Sequence, residues 1–131
     1  MSKERLIQDY LNDILESITD IKEFTQGMVF EDFIADKKTK AAVIRNMEIV
    51  GEAVGKLPEH IRSRYPKIPW GDICGIRNKI AHEYFGVDLS VVWQTIEDDL
   101  EPLASTVSQI LTDLGEEGSG LLPAGDSVTG R

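Results

Sequence analysis

Apolar side chains recur at steps of three and four along almost the whole chain. In residues 3–25 the set is Leu6, Ile7, Tyr10, Leu11, Ile14, Leu15, Ile18, Ile21 and Phe24. That spacing paints one stripe along a helix and leaves no run of the strict alternation a half-buried strand needs. It predicts an all-α fold. A stripe must be buried against other helices, so the arrangement is an antiparallel bundle of four to five helices.

The remaining segments continue the pattern. Gly27 is a natural stop for the first helix, and residues 28–36 read as a loop with a short turn. A second helix is expected from Lys38 to Leu57, capped by Asp36 or Thr39 and followed by Pro58, with Val43, Met47, Val50 and Val54 inward. Gly51 and Gly55 on it permit a close helix neighbour. Residues 58–66 suggest a short helix opened by Pro58 and closed before Pro66. A third helix should run from Trp70 to Tyr84 on Ile73, Ile76 and Ile80. Asp88 then caps a fourth carrying Leu89, Val92, Trp93, Ile96, Leu100 and Leu103. Pro102 predicts a kink or a fresh start, and Val107, Ile110, Leu111 and Leu114 extend the stripe until Gly115. Residues 1–114 therefore form one domain, and the glycine-rich 115–131 read as a flexible tail; removal of residues 117–131 is expected to leave folding nearly unchanged.

Composition bounds the function. The chain has 131 residues, enough for one domain with a working core. One cysteine excludes a disulfide framework within the chain and a cysteine cluster for zinc. The start MSKERLIQDY has charges where a signal peptide would have an apolar run, and no apolar run approaches the ~20 residues of a membrane span. A soluble cytoplasmic protein is expected. Net charge is −9, which argues against nucleic acid until its distribution is considered. Residues 1–36 hold 3 basic and 9 acidic side chains, residues 37–79 hold 10 and 4, and residues 80–131 hold 1 and 10. The basic charge is confined to the centre.

That centre contains Arg77-Asn78-Lys79-Ile80-Ala81-His82-Glu83-Tyr84, with a guanidinium, a carboxamide, an imidazole and a phenol within eight residues. Arginine offers a permanently charged fork for phosphoryl oxygens. Histidine takes or gives a proton near neutrality. Asn78 and His82 lie one turn apart on one face, whereas Arg77 and His82 differ by about 140° in an ideal helix. Acidic residues abound without the spacing of a metal site, and Asp98, Asp99 and Glu101 read as a solvated face. His60 reads as surface, Cys74 as a packed small residue, Trp70 and Trp93 as core or interface anchors. For Glu52 two readings stand: a buried carboxylate that orients Arg77, or an exposed helix glutamate.

In these residues the chain resembles the HEPN superfamily (higher eukaryotes and prokaryotes nucleotide-binding), specifically the HepT-like ribonuclease toxins. The family signature is Arg, four to six residues, then His; here Arg77 and His82. A tyrosine two residues after the histidine completes the fuller form, here Tyr84, and Asn78 matches the polar residue after the arginine. Flanking matches are Ile49-Val50-Gly51-Glu52-Ala53, Pro69-Trp70, Val92-Trp93 and Asp99-Leu100, and the likeness covers residues 3–113. The resemblance implies a metal-independent, cofactor-free endoribonuclease acting on RNA as a homodimer, with Arg77 and His82 catalytic; Asn78 and Glu52 are the candidate supporting residues beside them. It also implies a minimal nucleotidyltransferase antitoxin of the MntA type, which silences the toxin by AMPylation of Tyr84. Some HEPN proteins bind RNA or nucleotide without cutting. The alternative is thus an inactive helical module that binds a nucleotidyltransferase or nucleotide, and a third is a structural helical dimer.

Overall fold

The computed structural model describes the backbone of residues 6–82 and 88–121, and leaves undescribed the side chains of Arg77, residues 79–82 and residues 116–121. Among the described residues the chain is all-α. Five helices of ten residues or more, α1 (Ile7–Phe24), α3 (Lys37–Gly55), α5 (Trp70–His82), α6 (Leu89–Asp98) and α7 (Leu100–Leu121), are joined by two short ones, α2 (Phe30–Ala35) and α4 (Glu59–Arg62).

The expected stripes are the buried ones. Leu11, Ile14, Ile18 and Ile21 of α1 close on Val43, Met47, Val50 and Val54 of α3, and Leu100, Leu103, Val107 and Ile110 of α7 complete the core. Leu6 and Phe24, at the ends of the α1 stripe, stay exposed. The central helix is α3, packed on α1 and α5; α7 lies against α1 and α6, and α2 touches α3 and α6. Lys22 of α1 bonds Glu101 of α7 at 2.5 Å across the surface.

Local chemistry sets the boundaries. The Asp36 carboxylate accepts from Thr39 N–H at 3.0 Å and caps α3; the Asp88 carboxylate does the same for Ser90 N–H at 3.0 Å and starts α6. Gly27 takes φ 77° just after α1, the left-handed value that suits glycine. Residues 28–36 are more ordered than a loop: α2 forms there because Phe33, fully buried, needs a place under Trp93, with ring centroids 5.1 Å apart.

One expected end lies outside the described residues, and one moves. The third-helix expectation reaches Tyr84, which lies outside the described residues; α5 is described to His82. Gly115 does not stop α7, which continues to Leu121. A glycine inside a helix costs only about 1 kcal/mol relative to alanine, and no proline follows closely to enforce a stop. Pro102 does mark a fresh start. It is the third residue of α7, where a missing N–H costs no helix bond, and α6 ends just before at Asp98.

Candidate active site

The site is built on α5, and α5 is held by α3. A Cβ placed on Gly55, the last residue of α3, would stand 3.0 Å from Cys74 Sγ on α5. Cys74 is only the fifth residue of α5, yet α3 and α5 are in extensive contact. The two helices must therefore run antiparallel. From that contact point each residue advances about 1.5 Å, so Arg77 is level with Glu52, Asn78 with Gly51, and His82 with Met47.

On α5 the apolar positions Ile73 and Ile76 are buried. The opposite side is a line of Gly71, Gly75, Asn78 and His82, all within about 60° of one another on an ideal helix. Gly71 and Asn78 are exposed. A Cβ at Gly71 or Gly75 would meet nothing within 4 Å, so this line is open rather than packed. It borders a groove of about 510 Å³ between α5 and α6, lined in part by Gly71, Asp72, Gly75, Gln94, Thr95 and Asp98. Asn78 and His82 continue the same line one and two turns beyond Gly75.

Arg77 and His82 share α5, five residues and about 7.5 Å of rise apart. A single rigid helix thus fixes the backbone positions of both, and of Asn78 between them. Tyr84 lies outside the described residues.

Glu52 is exposed, not a buried carboxylate. It lies about 180° around α3 from Val43, whose side faces the core. There it lines a second groove, of about 340 Å³ between α1 and α3, with Tyr10, Asp13, Glu16, Asp20 and Arg45. It remains axially level with Arg77.

The residues read as structural are structural. Trp70 is buried, and its indole N–H donates to the carbonyls of Arg62 at 3.1 Å and Tyr65 at 3.0 Å. Trp93 packs on Phe33 and Phe30. Cys74 is half-buried against α3, and His60 is exposed. Asp98 and Glu101 are exposed as expected, but Asp99 is half-buried at the junction of α6 and α7. Burial, then the neighbouring charges of Asp98 and Asp72, push its carboxyl above the ordinary carboxylate range. No signal in the sequence marks that burial, because it depends on how α5 and α6 approach. Among the described residues no group of three or more His, Cys, Asp or Glu is arranged to hold a metal, and no helix is long and apolar enough to cross a membrane.

The chain's relatives agree on one family. The profile described as Ribonuclease HepT-like matches residues 14–110. A protein named "Probable ribonuclease HepT" from Thermococcus cleftensis is 47% identical over 100 residues, 76% of this chain and 91% of that protein. A Methanocaldococcus jannaschii protein named as a "Putative RNase" is 43% identical over 114 residues, covering 87% of this chain and 98% of its own. A second from the same organism, with the same description, is 42% identical over 111 residues, 85% of this chain and 92% of its own. No solved structure matches the chain.

Proposed function

The chain belongs to the HepT-like ribonuclease family, and from that membership we propose that it is a cytoplasmic endoribonuclease toxin that cuts RNA without a metal ion. The observation that supports this most is the position of Arg77 and His82 on one helix, inside the span that matches the family.

The chemistry follows from the residue types. RNA carries its own nucleophile, the ribose 2′-OH. Neutral His82 takes the 2′-OH proton as the 2′ oxygen bonds to phosphorus. The bond from phosphorus to the 5′ oxygen breaks, and a protonated histidine returns a proton to that leaving oxygen. The products are a 2′,3′-cyclic phosphate and a 5′-OH, with atoms and charge balanced. Arg77 neutralises the charge that builds on the non-bridging oxygens. Asn78 helps to hold the phosphate, and Glu52, level with Arg77 on α3, orients the guanidinium.

The step needs a base and an acid at once, and one chain offers one histidine on α5. A homodimer that brings two α5 helices together supplies both. The open line of Gly71, Gly75 and Asn78 has room for such an approach. Control falls to a nucleotidyltransferase antitoxin of the MntA type. AMP attached to Tyr84 places a bulky anion two residues from His82, where it blocks the cleft and competes for Arg77.

Product ends test the mechanism. Purified protein incubated with a defined RNA should leave 2′,3′-cyclic phosphate and 5′-OH termini, and a single 2′-deoxy substitution at the cut position should abolish that cut. Termini carrying a 5′-phosphate, or cleavage of the 2′-deoxy substrate, would overturn it.

A further inference from the structure

Apart from Arg77 and Lys79 on α5, the basic charge of the central segment falls into two groups at opposite ends of the α3 and α5 pair. Lys37, Lys38, Lys40 and Arg45 lie in the first half of α3, the end towards which α5 runs as it reaches His82. The second group is remote from His82. Residues 56–67 carry Lys56, Arg62, Arg64 and Lys67 against a single acid, Glu59. The chain as a whole is at −9, so a local excess of three positive charges in twelve residues runs against its composition.

These cations stand on a pinned support. Ile61 and Ile68 are buried, and the Trp70 indole N–H holds the carbonyls of Arg62 and Tyr65. The Tyr65 hydroxyl donates to Asp113 of α7 at 2.9 Å. Lys56, Arg64 and Lys67 are exposed around that anchor. Arg62 is incompletely satisfied: among the described residues its Nε is buried without an acceptor, and its terminal nitrogen reaches the exposed Glu59 only at 3.3 Å. A segment fixed by its backbone and presenting Lys56, Arg64 and Lys67 outward suits an anionic polymer.

We propose that residues 56–67 form a docking platform for the RNA backbone, separate from the cleavage site and engaging phosphates well upstream or downstream of the cut. The inference rests on the ribonuclease reading above. Trp70, the anchor of the platform, and His82 are twelve residues apart on α5, about 18 Å of rise. That is about five nucleotides at a stacked rise of ~3.4 Å. RNA long enough to bridge both sites gains affinity, and a tetranucleotide at the cleavage site does not.

Binding of a labelled, uncleavable 2′-O-methyl RNA tests this with Lys56→Ala/Lys67→Ala, neither residue being in the catalytic set. A thermal melt first confirms that the double variant is folded, and Arg64→Ala serves as a second variant. Wild type should bind a 20-mer at least about tenfold more tightly than a tetranucleotide, and its dependence on log salt should be steeper by ~0.7 for each extra phosphate contact. The double variant should lose most of that length advantage and about 1.4 of the slope, two contacts' worth. An unchanged length advantage and slope would overturn the platform. Equal loss on both lengths would overturn it too, since it would mean a defect at the cleavage site. Should wild type cut no RNA, the ribonuclease reading fails on its own, and the binding comparison still decides the platform.

Discussion

Gly55 and Cys74 meet where α3 and α5 touch, and a Cβ on Gly55 would stand 3.0 Å from the Cys74 sulfur. This contact sets the register by which Arg77 and His82 stand against α3. Alanine normally improves a helix by up to about 1 kcal/mol over glycine. Here the added methyl meets a sulfur with no space to spare, and overpacking of that kind costs about 1–3 kcal/mol. Gly55→Ala is therefore expected to lower stability in urea denaturation, and Gly55→Ala/Cys74→Ala to recover most of the loss. A single variant as stable as the double would contradict the contact.

Asp99 makes stability depend on pH in a direction opposite to most carboxylates. Burial, then Asp98 and Asp72, favour its neutral form in the folded protein, so the folded state binds this proton more tightly than the unfolded chain. Its contribution to stability is complete below the ordinary carboxylate range and is lost as pH rises through the raised folded value. Asp99→Asn keeps the shape and removes the ionisation. The melting temperature should rise relative to wild type at pH 7, with the gain shrinking or vanishing near pH 3.5. An equal change at both pH values would refute the electrostatic account.

Much of this architecture is written in local pattern. The inward positions of α1, α3 and α7 follow from three-and-four spacing, because burying a stripe is the only way to remove it from water. Caps at Asp36 and Asp88 are equally local. What the pattern leaves open depends on distant partners. Residues 28–36 are too few to show a period, and α2 forms because Phe33 meets Trp93, sixty residues later. Gly115 is a weak breaker, and α7 passes through it.

The site divides in the same way. Arg77, Asn78 and His82 are legible because one helix places them by periodicity alone. The exposure of Glu52 is not legible, because it depends on how far α1 covers α3. The support beneath residues 56–67 is hidden too, because it is made of backbone carbonyls that receive the Trp70 indole.

Tyr84 is the residue at which silencing is expected. Tyr84→Phe keeps the ring and removes the hydroxyl that accepts AMP. It should retain at least part of the RNA cleavage and resist inactivation by the nucleotidyltransferase with ATP. Mass spectrometry locates the adduct: AMP found only on another residue, or silencing that persists in Tyr84→Phe, would refute the assignment.

The most direct test of the whole account is RNA cleavage in the presence of EDTA by wild type, Arg77→Ala and His82→Ala, each first shown to be folded. Wild type should cut at an undiminished rate. Either substitution should lower the rate by about two or more orders of magnitude, the scale of a lost proton-transfer or charge-stabilising group. Full activity in Arg77→Ala or His82→Ala, or abolition of wild-type cleavage by EDTA, would contradict it.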